Sequence, residues 1–247
     1  MRKPRKHLRK HLLATYGALA IVQPIGSHRL NDKQKITMKI IGLSGSPTAV
    51  SRSGWLLQRF QDLLTAQDGP LLQLDSLRAR DLPAQALLHA DFSDITLQDA
   101  LARVAAADIV VISTPIYKAA YSGLLKVFLD LLPQDGLRGK AVVVLATGGS
   151  SAHLLAVDYA LKPVLSALGA REIVDTVYAT DAQLPRHEAH GYASTPDIDE
   201  RLARAAGHLH RRLAAVPSLH PLPATLNSFP KQSAPQHPLP AGVRISA

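Results

Sequence analysis

Apolar and polar residues follow two alternating patterns along the chain between residues 38 and 215. Short, unbroken apolar runs rich in β-branched residues are typical of strands that are buried on both faces of a sheet. Longer stretches with apolar residues three and four positions apart are typical of helices with one buried face. The apolar runs predict five strands, at residues 39–44, 71–74, 108–113, 140–146 and 171–179.

Helical spacing predicts a helix between each strand and the next and one more after the last strand. The clearest example is residues 51–65, where Leu56 and Phe60 lie four positions apart on one face. Pro133 ends one predicted helix because proline cannot continue the hydrogen-bond ladder, and Gly169 is typical of a helix C-cap. The other helices are expected at residues 96–106, 119–132, 153–168 and 197–213.

Strands that alternate with helices predict an α/β fold, because each helix carries the chain back to start another parallel strand. Five strands favour a flavodoxin-like, doubly wound parallel sheet in the order 2-1-3-4-5, with helices on both faces. In such a sheet, ligands bind at the carboxyl ends of the strands, beside the switch point between the first and third strands. The loops that follow strands are therefore expected to carry the chemistry.

The length of 247 residues suits one α/β domain with tails at both ends. We expect a flavodoxin-like domain over residues 38–215, a basic extension over residues 1–37, and a disordered tail over residues 216–247, where proline is frequent. The chain has no cysteine, which excludes disulfides, thiolate metal sites and cysteine nucleophiles, and which fits a cytoplasmic location. Its eleven histidines show no metal-ligand spacing, so no metal site is expected.

The formal net charge of +9 comes almost entirely from residues 1–37, which hold nine Lys and Arg against one Asp. The remaining residues carry only +1, so we expect no nucleic-acid binding by the fold. The apolar run at residues 12–22 is too short to span a bilayer, which needs about 20 residues, so no membrane insertion is expected. Met38 directly precedes the first strand, which favours an upstream extension from a misplaced start. A targeting segment and a genuine basic arm are the alternatives.

The loop after the first strand, residues 45–53, is rich in hydroxyl groups. Backbone N–H groups at a helix start bind phosphate, and Ser46, Ser51, Ser53 and Arg52 add donors suited to phosphate oxygens. The loop has neither the Gly-x-Gly-x-x-Gly pattern of dinucleotide sites nor the Gly-Lys-Ser/Thr of triphosphate sites. It therefore favours a mononucleotide such as FMN, with an ordinary strand-to-helix turn as the alternative.

The loops after the third and fourth strands complete the pattern. Residues 114–123 contain Tyr117, whose flat face suits a flat ring, although a packing aromatic is the alternative. Residues 147–151 contain Gly148 and Gly149, which let backbone N–H groups approach a ligand closely, although a plain glycine turn is the alternative. All three loops are expected at one edge of the sheet, and this convergence favours a ligand site.

Four segments carry a family resemblance: Thr-Pro-Ile-Tyr-Lys-Ala-Ala-Tyr-Ser-Gly-Leu-Leu-Lys at residues 114–126, Asp-Leu-Leu-Pro at 130–133, Leu-Ala-Thr-Gly-Gly at 145–149, and Ala-His-Leu-Leu-Ala-Val-Asp-Tyr-Ala-Leu-Lys-Pro-Val-Leu at 152–165. With these segments the chain resembles the NADPH-dependent FMN reductases of flavodoxin-like fold. It is most similar to the branch that supplies reduced flavin to alkanesulfonate monooxygenase. The resemblance extends from about residue 38 to residue 212.

The resemblance implies a set of FMN-binding residues. The phosphate is assigned to Ser46, Ser51, Arg52 and Ser53, and the ribityl chain and ring to Pro115, Ile116, Tyr117 and Lys118. The other side of the ring is assigned to Thr147, Gly148, Gly149 and Ser150. The wider family often has an arginine where this chain has Thr48, and Arg52 is the candidate for that role.

Tyr121 resembles an extra tyrosine that this branch inserts into the helix after the second loop. An inserted residue produces a π-bulge, and the resemblance implies that Tyr121 lies at a subunit interface of a homo-oligomer, a dimer or a tetramer. A tyrosine on the helix surface is the alternative.

The resemblance also implies hydride transfer from NADPH to flavin N5, with no catalytic side chain, since the flavin carries the chemistry. Reduced FMN is then expected to leave for an FMN-dependent monooxygenase. A general quinone, azo or chromate reductase and a flavodoxin-type electron carrier are the alternatives, and a nucleic-acid or membrane-binding protein acting through the basic residues 1–37 is a third. NADH remains open as the electron donor.

Overall fold

Five long parallel strands run through the computed structural model, which describes residues 37–67, 71–188 and 191–215. They are β1 Thr37–Ser44, β2 Leu71–Arg78, β3 Ile109–Tyr117, β4 Ala141–Gly148 and β5 Glu172–Thr180. Their order is β2-β1-β3-β4-β5, and every neighbouring pair among them is parallel. The predicted flavodoxin-like, doubly wound sheet and its order are confirmed.

The two central strands, β3 and β4, are buried along almost their whole length. Their sequences, Ile-Val-Val-Ile and Ala-Val-Val-Val-Leu, consist of residues that pack well on a pleated surface covered on both sides. The edge strand β2 consists of exposed and partly buried residues apart from Leu77, which is buried, as expected where one edge faces solvent. The strongest apolar runs therefore mark the centre of the sheet.

Helices cover both faces of the sheet. They are α1 Arg52–Thr65, α2 Ala84–His89, α3 Ile95–Ala106, α4 Gly123–Asp130, α5 Lys162–Ala167 and α6 Pro196–Ala215. On one face α1 and α6 pack on the sheet, with Leu56, Phe60 and Leu202 inaccessible to solvent. On the other face α3, α4 and α5 form a second apolar core that includes Leu125 and Phe128. The described residues contain no helix long and apolar enough to cross a membrane.

The predicted helix at residues 119–132 begins later than expected. Ala120 and Tyr121 form a two-residue strand antiparallel to the end of β3, and α4 starts only at Gly123. Ser122 caps this helix, because its Oγ accepts a hydrogen bond from the Leu125 N–H at 3.1 Å. The prediction of a π-bulge at Tyr121 is wrong, since pairing with Ile116 holds Tyr121 in extended backbone.

A π-helix does occur, but it lies at Val157–Leu161. It replaces part of the predicted helix at residues 153–168, which the structure divides into a 3₁₀ turn at Ser151–Leu154, the π-helix and α5. Another 3₁₀ turn, Ala79–Asp81, follows β2. The expectations for residues 1–36 and 216–247 lie outside the described residues.

Candidate functional site

The loops after β1, β3 and β4 meet at one edge of the sheet, as the sequence predicts. Ser44 at the end of β1 lies opposite Ser113 of β3, and Pro115 of β3 lies opposite Thr147 of β4. The Gly45 N–H donates to the carbonyl of Ser113 at 2.8 Å, which fixes the first loop against the second. Three segments that are far apart in sequence are thereby placed side by side.

The loop between β1 and α1, residues 45–51, is called the serine loop below. Ser51 is the N-cap of α1, and its Oγ accepts from the Gly54 N–H at 3.0 Å and lies 3.5 Å from Ser53 Oγ. Ser46 is buried, and its Oγ accepts from the Thr48 N–H at 3.3 Å. The first turn of α1 carries no acidic residue. Clustered hydroxyls at a helix N-terminus without a competing carboxylate fit a phosphate group.

The described contacts of the Arg52 guanidinium do not include these hydroxyls. Its Nε donates to the Leu184 carbonyl at 3.0 Å, and its Nη1 lies 3.4 Å from Asp181 Oδ2. Its Cζ lies 5.3 Å from the centre of the Tyr192 ring. The described contacts of Arg52 are therefore with the segment after β5, which the sequence analysis did not include in the site.

The second loop presents one exposed aromatic ring beside buried residues. Pro115 and Ile116 are buried at the end of β3, whereas the side chain of Tyr117 is 50 % exposed. Lys118 follows in the turn that leads into the short strand. An apolar ring that stays half-exposed at the edge of a sheet is suited to stack on a flat ligand.

The two residues of this turn are held in left-handed backbone. Lys118 has φ of +50° and Ala119 has φ of +61°, which is the pattern of a type I′ hairpin turn. Residues with a Cβ are disfavoured there by about 1 kcal/mol or more, so the backbone beside Tyr117 is strained.

Replacing Ala119 by glycine is therefore expected to raise the free energy of unfolding by up to about 1 kcal/mol, since glycine removes the penalty of positive φ. The matched control is Gly139→Ala, where φ is +74° and no neighbouring atom would meet the added Cβ, so stability should fall. Urea denaturation of both variants measures the two changes. A loss of stability in Ala119→Gly would show that the backbone at Ala119 is not strained.

Buried hydroxyls join the second loop to the first. Ser122 Oγ donates to the carbonyl of Gly45, and the Ser122 N–H donates to Thr114 Oγ1 at 3.1 Å. Ser113 Oγ donates to the carbonyl of Ser53 at 2.6 Å. The sequence analysis missed Ser113, Thr114 and Ser122, although all three lie in or beside the Thr-Pro-Ile-Tyr segment. They fix the spacing between the serine loop and Tyr117.

The third loop, after β4, is held by a tyrosine of β5. Tyr178 is buried, and its hydroxyl donates to the carbonyl of Ser150 at 2.5 Å. Burial and the nearby Asp181 carboxylate raise the pKa of the Tyr178 phenol, so the phenol remains a donor at neutral pH. Gly148 lies against this ring, whereas Gly149 faces open space. The sequence contained no local signal for Tyr178.

Two clefts flank the serine loop. One, of about 180 Å³, lies between α1 and the end of β2 and is lined by Ser44, Ser51, Arg78 and Arg80 among others. The other, of about 410 Å³, lies beside Pro47 and is lined mainly by apolar side chains of α2 and α4. Tyr117 is half-exposed, and a Cβ added at Gly149 would meet no atom within 4 Å, so both residues lie at exposed positions on this edge of the sheet.

Known sequences match this chain over a range that includes all three loops. The family model of NADPH-dependent FMN reductases matches residues 38–184. An FMN reductase (NADPH) of Pseudomonas putida is 44 % identical over 181 residues, which cover 73 % of this chain and 90 % of the relative. An FMN reductase (NADPH) of Escherichia coli K12 is 44 % identical over 186 residues, which cover 74 % and 95 %.

A solved structure of an FMN oxidoreductase is also similar to this chain. The apo form of an NADH:FMN oxidoreductase, EMOB, superposes with a TM-score of 0.65 at 38 % identity, over 73 % of this chain and 92 % of that one. The family resemblance seen in the sequence is confirmed, and so are its implied cofactors, FMN and NADPH. The chain belongs to the family of NADPH-dependent FMN reductases and is an oxidoreductase.

Proposed function

We propose that this reductase binds FMN at the edge formed by the three loops and supplies the reduced flavin to an FMN-dependent monooxygenase of the alkanesulfonate type. The main support for this binding site is that three features converge at one edge of the sheet. They are a helix N-terminus suited to bind phosphate, a half-exposed tyrosine and a pair of glycines. When bound, FMN accepts a hydride from NADPH and stores two electrons. We place the reaction in the cytoplasm, where both nucleotides are present.

In this proposal, Ser46, Ser51 and Ser53 hold the phosphate with the first backbone N–H groups of α1. Pro115, Ile116, Tyr117 and Lys118 border the ribityl chain and one side of the ring, and Thr147, Gly148, Gly149 and Ser150 border the other. The Ser46 and Ser51 hydroxyls already accept hydrogen bonds from the Thr48 and Gly54 N–H groups, so the loop is organised before the ligand arrives. A preorganised loop lowers the cost of ordering on binding.

The open edge supports a flavin that leaves after reduction. Tyr117 is half-exposed, and the space at the Cβ position of Gly149 is open. The curated relatives include an NADH-dependent FMN reductase SfnF of Pseudomonas putida, 33 % identical over 154 residues. The finer assignment to a sulfonate pathway depends on the family resemblance of the Thr-Pro-Ile-Tyr and Leu-Ala-Thr-Gly-Gly segments.

We also propose that the chain acts as a homo-oligomer, a dimer or a tetramer. Leu154, Leu155 and Tyr159 are exposed apolar residues after the third loop, and Tyr159 is 79 % exposed. The π-helix that carries Tyr159 contacts the short strand of Tyr121. An exposed apolar group of this kind favours association, and Tyr121 then lies close to the subunit interface.

The test uses the full-length protein, FMN and NADPH. Oxidation of NADPH is expected only when FMN is added, with saturation in FMN, and the reduced flavin should support sulfite release by an added alkanesulfonate monooxygenase. Sedimentation of the same preparation should give the mass of a dimer or a tetramer.

Tightly bound FMN without NADPH oxidation would indicate an electron carrier instead. Faster turnover with quinones, azo dyes or chromate than with free FMN would indicate a general reductase.

A further inference from the structure

Arg52 is the first residue of α1, yet each of its described contacts is made with the segment that follows β5. The Nε–H donates to the Leu184 carbonyl, Nη1 faces the Asp181 carboxylate, and the guanidinium plane lies over the Tyr192 ring. The Arg52 side chain is 29 % exposed, so most of it is buried by these groups. A planar guanidinium can donate to a carbonyl, pair with a carboxylate and stack on a ring at the same time.

The segment that Arg52 holds is also bonded to the third loop. The Asp181 N–H donates to the carbonyl of Gly148 at 3.0 Å. Leu184 is buried in the core beneath α1 and α6, so its carbonyl is a fixed acceptor. The start of α1 and the glycine pair of the third loop are thus connected through Asp181, without any direct contact between Arg52 and Gly148.

We infer that Arg52 is a positioning residue, which sets the distance between the serine loop and the Gly148–Gly149 turn through Asp181, instead of recognising the FMN phosphate. The inference rests on the FMN-binding edge proposed above. Because the Asp181 side chain is 50 % exposed, its ion pair with Arg52 adds only about 0–1 kcal/mol to stability, so the main effect of this pair is on geometry. Both loops border the same ligand, and a misplacement of about 1 Å in such a site can lower the rate about 100-fold.

The test compares FMN with riboflavin, which lacks the phosphate. Arg52→Gln and Arg52→Lys are both expected to lower kcat/KM for the two flavins by the same factor, about ten-fold. The FMN-to-riboflavin ratio should therefore stay at the wild-type value. Arg52→Lys should therefore not keep the wild-type kcat/KM. The ammonium group of lysine is not planar, so it cannot donate to the Leu184 carbonyl and stack on the Tyr192 ring at the same time. Asp181→Asn should reproduce the loss, and combining it with Arg52→Gln should add little further loss.

Arg59→Gln is the matched control. Arg59 lies on the same helix, and its ion pair with Asp199, at 3.1 Å, joins α1 to α6 without reaching the loops. This variant should change the melting temperature about as much as Arg52→Gln but leave kcat/KM for both flavins unchanged. An equal kinetic loss in Arg59→Gln would show that any loosening of α1 is enough, and would overturn the inference.

If Arg52 instead bound the FMN phosphate directly, its variants would affect the two flavins differently. Arg52→Gln would then lose FMN turnover selectively, riboflavin turnover would be unaffected, and Arg52→Lys would restore the preference for FMN. That result would overturn the positioning role. Wild-type turnover with both flavins is measured first, because its absence counts against the proposed function, whereas a changed flavin ratio counts against the role of Arg52 alone.

Discussion

Replacing Gly148 by alanine is expected to lower kcat/KM for FMN by about 100-fold. A Cβ at this position would lie well inside van der Waals contact distance of the Tyr178 hydroxyl and only 3.3 Å from the Tyr178 Cζ. The Tyr178 ring cannot turn away freely, because it is buried and its hydroxyl donates to the Ser150 carbonyl. The third loop must therefore move, and the hydrogen bond from the Asp181 N–H to the Gly148 carbonyl moves with it.

A second variant distinguishes this clash from a general loss of structure. Tyr178→Phe removes the hydroxyl that the new methyl group would meet, so Gly148→Ala combined with Tyr178→Phe should be more active than Gly148→Ala alone. Tyr178→Phe by itself should cost about 1 kcal/mol of stability, because the Ser150 carbonyl loses its donor. Steady-state NADPH oxidation at varied FMN measures all three variants. If Tyr178→Phe brings no recovery, the clash is not the cause.

Replacing Gly45 by alanine is expected to lower the free energy of unfolding by about 1–3 kcal/mol, as overpacking of a close-packed site does. The added Cβ would lie 2.6 Å from Leu125 Cβ and 3.2 Å from its Cγ. Leu125 is buried in α4, and the Ser122 hydroxyl binds both the Leu125 N–H and the Gly45 carbonyl. Helix and loop cannot separate without breaking this link.

The same variant should weaken binding of FMN, because the clash with Leu125 pushes the serine loop away from α4. Gly123→Ala is the matched control, since no atom would lie within 4 Å of its Cβ and alanine favours the helix by up to about 1 kcal/mol. Urea denaturation and FMN titration of both variants measure stability and affinity. Wild-type stability in Gly45→Ala would contradict the close packing between the serine loop and α4.

The strand order and the convergence of the three loops were predictable because local patterns locate the strands and the common topology of α/β sheets orders them. The unbroken Val and Ile runs of β3 and β4 can be accommodated only in the buried centre of a sheet. Parallel strands bring every loop that follows a strand to one edge, so the positions of Ser46, Tyr117 and Gly148 follow from the order alone. The resemblance then supplied the flavin and its electron donor.

The short strand at Ala120–Tyr121 was not predictable from its turn. Type I′ turns favour Asn-Gly or Gly-Gly, and Lys118-Ala119 has neither glycine nor asparagine. Apolar residues from Tyr121 onward have helical spacing, so the local pattern extended the helix too far towards the N-terminus. The pairing of Tyr121 with Ile116 in the sheet overrides that tendency.

The sequence was enough to predict the class of the fold, the order of the strands, the convergence of the three loops and the family, since each follows from patterns within single segments together with the general rules of α/β topology. The tertiary structure alone decided where the Arg52 guanidinium lies and what holds the third loop. Arg52 meets Leu184 across 132 positions, and Tyr178 meets Ser150 across 28. The type of a residue limits which hydrogen bonds and ion pairs its side chain can make. Only the packed fold decides which of the possible partners lies within bonding distance.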